Sequence, residues 1–153
     1  MKNNFSTEAI MNDRKVVVER DFVYKGFRCV VVFNCLCFRC GYVAVTDDPN
    51  VFKMIAEKGG DFDVHGGVTY SDGGEDSHHP VDSNFYWLGF DCGHYGDEID
   101  VDQAVEYKLL SPEVEPIMRM QEGLFSGHAM TADEVESECK KLAYQVADLL
   151  GVL

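Results

Sequence analysis

The chain has 153 residues, 46% hydrophobic and 26% charged, with a formal net charge of −14 at pH 7. That length suits one domain burying roughly two thirds of its unfolded surface, and the acid excess argues against non-specific nucleic-acid binding, which needs a basic footprint. No apolar run nears the roughly 18 residues of a membrane span. "MKNNFSTEAIMNDRK" has no apolar signal core, so the expectation is a cytoplasmic protein.

Residues 1–13 are polar and without period, and read as a loose arm. "KVVVER" and "FRCVVVFN" are β-branched runs separated by "DFVYKG", whose Gly26 suits a turn. "CGYVAVT" is a third strand, with Tyr42, Ala44 and Thr46 alternating against Val43 and Val45. In "CLCFRC" the spacing C-x-C-x-x-C is not that of a paired zinc hook, and small thiols filling the sheet around a turn are the simpler reading. The six cysteines are expected to be reduced.

"DDPNVFKMIAEKGG" carries helix punctuation: Asp48 can cap, Pro49 fits the first turn and Gly59 can end it. A structured loop fits the same residues. "DVHGGVTY" and "FYWLGFDC" read as two more strands. In the second, Phe85 and Trp87 share one face and could wall a pocket, although core packing is the commoner use. Between the two strands, "SDGGEDSHHPVDSN" reads as an exposed acidic loop in which His78 and His79 are solvated. "VDQAVEYKLL" suits a short helix, and residues 103–130 as a whole read as an irregular or partly helical insertion in which His128 has no evident partner.

The C-terminal segment is the clearest element. Thr131 and Glu134 make a capping box, and Val135, Cys139, Leu142, Val146 and Leu149 recur as one apolar stripe. Glu136 and Lys140 sit four apart on the outside. Such a helix needs an apolar surface to lie on, and the sheet is the only large candidate. The expected fold is α+β, with an antiparallel sheet of about five strands and this helix on one face, in a single domain spanning 1–153.

Chemistry-bearing residues gather in two glycine-rich stretches. "DFDVHGG" places Asp63 and His65 against Gly66 and Gly67, and "DCGHYGD" places Asp91, Cys92, His94 and Asp97 within seven residues. The glycines permit sharp turns or close backbone approach, but "VTYS" follows the first pair where a phosphate loop would need a helix. Three readings stay open. Asp63, His65, Gly66, Gly67, Asp91, His94 and Asp97 can hold a small polar ligand. His65, Asp91 and His94 can ligate a divalent metal such as zinc or manganese and activate water, as in a small metal-dependent hydrolase, although no H-E-x-x-H signature is present. Or the carboxylates and imidazoles simply secure turns. Cys92 as a nucleophile is disfavoured, because the acids beside it raise a thiol pKa.

Charge is unevenly spread. Arg14 to Arg39 holds six basic residues and only Glu19 and Asp21 as acids, whereas Glu57 to Asp102 holds twelve acids and only Lys58 as a base. The acidic stretch suits docking on a basic host protein, with Glu75, Asp76 and Asp82 as its expected contact residues.

"RCGYVAV", "DFDVHGGVTY", "WLGFDCGHYGD" and the "ECKKLAYQVADLL" helix together resemble a family of small uncharacterised phage- and prophage-encoded proteins. Those carry C-G-Y-V-x-V, D-V-H-G-G-L-T and W-x-G-F-D-C-x-H-x-G-D, then a helix with E-C-x-x-L. The likeness covers roughly residues 28–100 and 131–150. The stretch 103–130 is longer than usual, and "DDPNVFK" replaces the family's Gly-His-Pro segment. The resemblance implies a phage or prophage accessory protein and supplies no activity. The function expected is inhibition of a host defence system without catalysis and without a cofactor. It would act in the host cytoplasm on a host protein or a small polar ligand, with no direct contact to nucleic acid or membrane.

Overall fold

The computed structural model describes residues 16–73, 84–94, 96–124 and 127–153. The fold is α+β: a five-stranded antiparallel sheet with a C-terminal helix across one face. Strand β1 (Val16–Tyr24) turns through Lys25 and Gly26 into β2 (Phe27–Asn34). Both turn residues have positive φ, 54° and 83°, the combination a tight two-residue hairpin requires. "DFVYKG" is therefore mostly strand, because Asp21–Tyr24 pair with Phe27–Val30. Strand β3 (Arg39–Thr46) returns beside β2. Helix α1 (Pro49–Glu57) follows, its N-terminus capped by Asp48 with Pro49 in the first turn, so the helical reading of this stretch holds and the loop reading does not.

Strand β4 (Tyr70–Gly73) and β5 (Tyr86–Asp91) complete the order β1-β2-β3-β5-β4. Here the sequence reading needs correction. Residues 62–69 form no strand, and His65 and Gly66 lie in a turn. Two consecutive positive-φ glycines, Gly66 at 70° and Gly67 at 80°, are incompatible with extended pairing, so the strand starts only at Tyr70. Helix α2 (Val101–Glu106) and helix α3 (Glu115–Gln121) make up the insertion.

Helix α4 (Ala132–Leu150) begins at the Thr131–Glu134 capping box and ends at Gly151, whose φ is 70°. It buries Val135, Cys139, Leu142, Ala143, Val146 and Ala147 against Cys29, Val31, Val43, Leu88 and Phe90 of the sheet. Leu149 leaves the stripe and is partly exposed. Gly41 sets how closely the helix seats, since a Cβ there would lie 2.4 Å from the Phe90 ring and 2.7 Å from the Cys139 sulfur. A smaller cluster of Phe33, Cys37, Val101, Ala104 and Met118 fastens the insertion to one end of the sheet. Val30, Val32, Ala44 and Trp87 occupy the face away from α4. Trp87 is fully buried there, while Phe85, outside the strand, is exposed and makes no wall with it.

Candidate functional site

The two glycine-rich stretches meet. Val64 is buried and anchors the first turn, which closes with the Gly67 amide donating to the Val64 carbonyl at 2.8 Å. Helix α4 holds this turn from below. The His65 amide donates to Glu138 Oε1 at 2.7 Å, and the Gln145 side chain spans both backbone groups of Asp63 at 2.8 Å each.

The second stretch leaves β5 as a turn organised by two carboxylates. Asp91 accepts from the Gly93 amide at 3.0 Å and from the Thr69 hydroxyl at 3.1 Å. Asp97 accepts from the His94 amide at 3.1 Å through one oxygen, and its other oxygen meets His65 Nε2 at 2.9 Å. One aspartate thus joins both turns. The His94 ring lies against Gly66, where an added Cβ would fall 2.5 Å from the imidazole. Its Nδ1 is buried 3.4 Å from Asp91 Oδ1 and makes no hydrogen bond in this geometry.

His65, Gly66, Asp91, His94 and Asp97 are therefore neighbours, whereas Gly67 contributes only its backbone turn. The Asp63 side chain is 89% exposed and faces Lys141 at 3.8 Å, outside the cluster. Glu75, Asp76, Asp82, His78 and His79 lie outside the described residues. Among the described residues, no three His, Cys, Asp or Glu side chains form a group able to hold a metal ion. The physical reason is that His65 points its Nε2 at Asp97, while both Asp91 oxygens already serve the Gly93 amide and Thr69. The donor set of His65, Asp91 and His94 does not converge.

Cys92 is buried behind the second turn. Its thiol is pushed far above the ordinary range by burial first, then by Asp97, Cys40 and Asp91. A nucleophile needs the reverse environment. Cys37 and Cys40 from "CLCFRC" belong to different packing clusters on the sheet, and burial raises their thiols to about 11 and about 12 respectively. His128 does have a partner, Glu134 at 3.0 Å.

Some participants were hidden in the sequence. Glu138, Lys141 and Gln145 recur three and four apart on the flank of α4, a spacing that marks one helix face but not what that face holds. The insertion adds a different kind of surface. Met118 of α3 is buried, while Ile117, Met120 and nearby Leu124 are 56%, 77% and 66% exposed, with Val114 beside them. Positions 114, 117 and 120 fall on one side of a helical wheel, and Leu124 follows just past the helix end, after the extended Glu122 and the positive-φ Gly123. Carboxylates outnumber bases around them, since Asp102, Glu115 and Glu122 share the single Arg119 and Glu113 is exposed beside them.

No protein-family model, no curated protein and no solved structure matches the chain.

Proposed function

We propose that this chain is a non-enzymatic phage or prophage accessory protein that inhibits a host defence system by binding a host protein in the cytoplasm. The observation that carries the reading is the exposed row of Val114, Ile117 and Met120 at helical spacing, with exposed Leu124 just past the helix end, among more carboxylates than bases. Apolar side chains grouped at helical spacing mark a binding face more often than a solvated one. Their acidic surroundings fit a partner with an apolar groove and a basic rim, whose charges would speed and orient encounter.

The His/Asp cluster supports the non-catalytic half of the proposal. Its carboxylates are engaged with turn amides, a hydroxyl and the His65 imidazole, and the adjoining thiol is held neutral. The metal-dependent hydrolase reading has less support for the same reasons. The phage setting rests on the motif resemblance, and the acidity at 57–102 adds Glu75, Asp76 and Asp82 as a further contact region.

The test is a plaquing assay in bacterial hosts that each carry one defence system. Expression of the chain should restore phage plaquing in at least one host. The Ile117→Glu/Met120→Glu double variant should lose that rescue while keeping its thermal transition, and the His65→Ala variant should keep it. Absence of rescue in every host, or full rescue by the double variant, would defeat the proposal.

A further inference from the structure

We propose that a hollow on the sheet face away from α4 binds a small alkylammonium cation. The cavity measures about 310 Å³ and is lined by Phe38, Tyr42, Tyr70, Cys40, Asn34 and Asp91, among others. That is near the small end of ligand-sized pockets. The inference goes beyond the partner-binding reading and does not rest on it.

Two glycines shape the walls. Gly89 lies in register between Tyr42 on one neighbouring strand and Tyr70 on the other. A Cβ at Gly89 would sit 2.6 Å from the Tyr42 ring and 3.1 Å from the Tyr70 Cβ, so only glycine lets both residues close over the strand. The two rings meet edge to face with centroids 5.6 Å apart. Phe38 lies over Gly93 in the same way, where a Cβ would fall 2.6 Å from its ring. Three aromatic side chains are thereby gathered around the end of β5.

The charge at this place is Asp91. Among the described residues, no lysine or arginine forms an ion pair with it. Cys40 and Tyr42 add no negative charge at physiological pH, because burial raises the Cys40 thiol to about 12 and pushes the Tyr42 hydroxyl further up, and the one imidazole beside Asp91 is His94, whose Nδ1 lies 3.4 Å from Oδ1. One carboxylate among aromatic side chains favours a cation, whose attraction to a ring grows when the site is desolvated. An anion is repelled. A guanidinium seeks both carboxylate oxygens in its fork, and one lone pair on each is already taken by the Gly93 amide or the Thr69 hydroxyl, which narrows the directions open to that fork. An alkylammonium needs the charge and at most one acceptor, and it offers its methyl or methylene groups to the rings.

The experiment is an amide-resolved NMR titration at low salt with three probes: choline, its neutral isostere 3,3-dimethylbutan-1-ol, and methylguanidinium. Choline should bind with shifts centred on Tyr42, Tyr70 and Gly93. The neutral isostere should bind at least about tenfold more weakly, the scale of one desolvated cation–π contact, and methylguanidinium should bind no more tightly than choline. Asp91→Asn and Tyr70→Leu should each weaken choline by about tenfold or more, and Tyr70→Leu keeps the test valid if Asp91→Asn loosens the turn. The Ile117→Glu/Met120→Glu variant should bind choline unchanged. Absence of choline shifts, equal binding of choline and its isostere, or tighter binding of methylguanidinium would each overturn the assignment.

Discussion

Two polar clusters tie distant parts of this chain together, and they do so at different depths. In the first, Arg39 grips Glu19 through two bonds of 2.6 and 2.9 Å and donates to the Met130 carbonyl at 2.9 Å, while Tyr107 donates to Glu19 at 2.7 Å. Glu19 and Arg39 are only 4% and 5% exposed. In the second, His65 and Asp97 are 29% and 14% exposed. The buried cluster joins sheet, insertion and the start of α4, whereas the shallower one joins two turns. Depth decides the cost of breaking them: a buried charge that loses its partner cannot recruit water, and a half-exposed one can.

The largest effect should therefore come from Glu19→Ala. It strands the Arg39 guanidinium over the Phe33 ring, 4.9 Å from its centroid, and removes the acceptor of Tyr107. A loss of about 3–5 kcal/mol in urea unfolding is expected, with the insertion loosened as well. A cost below about 1 kcal/mol would place this pair with ordinary surface bridges and erase the contrast between the clusters.

Gly66→Ala comes next. Its φ of 70° disfavours any residue with a Cβ, and the new methyl would press into the His94 ring. The conformational part alone is worth about 1–2 kcal/mol, and displacing the ring adds to it. Gly67→Ala offers an internal comparison, since its φ of 80° is similar but nothing lies within 4 Å of the new Cβ. The difference between the two variants in thermal unfolding isolates the packing of His94 on the turn. Equal costs would show that His94 contributes nothing there.

His65→Ala should cost less, on the order of 1 kcal/mol, because Asp97 keeps the His94 amide and Glu138 keeps the His65 backbone. Asp97→Ala should cost more, since it empties the joint between both turns. If His65→Ala matched Glu19→Ala in a denaturant melt, the shallow cluster would be as critical as the deep one, and the comparison would fail.

The same contrast explains what could be read from the sequence. The His/Asp cluster was visible because turn chemistry is local: Asp91, His94 and Asp97 fall within seven residues, and glycines punctuate them. Helix α4 was visible for a similar reason, since its cap and stripe repeat within one segment. The Glu19–Arg39 pair was not, because its members lie 20 residues apart and each looks like an ordinary strand charge. What turns Glu19 inward is a register shift between Val18 and Arg20, and a bulge that re-aims one side chain leaves little trace in alternation. The sequence places His65 within a strand because "DVHGGVTY" reads as β-branched and aromatic. The positive φ of Gly66 and Gly67 overrides that propensity, and the strand waits until Tyr70. The pocket beside Asp91 depends on cross-strand register, which places Gly89 between two tyrosines, and register is not written in any one segment.

The smallest effect concerns the start of α4, next to the carbonyl of Met130 that Arg39 holds. Glu134 accepts from the Thr131 amide and pairs with His128, and these contacts hold its carboxyl below the ordinary range, the Thr131 backbone bond first and His128 second. The sign follows from linkage. A carboxyl whose pKa is depressed on folding contributes stability that is fully present above its unfolded value and is lost as pH falls through the folded one. The Glu134 side chain is 41% exposed, so solvent screening keeps the gain at no more than about 1 kcal/mol. Glu134→Gln retains an acceptor for Thr131 but cannot ionise. Its stability should trail that of the parent chain at pH 6, and the gap should close as pH falls below about 4, the ordinary range of a free glutamate. A gap that persists or widens in acid would mean that the charge of Glu134 does not contribute, and that the cap works through its neutral hydrogen bonds alone.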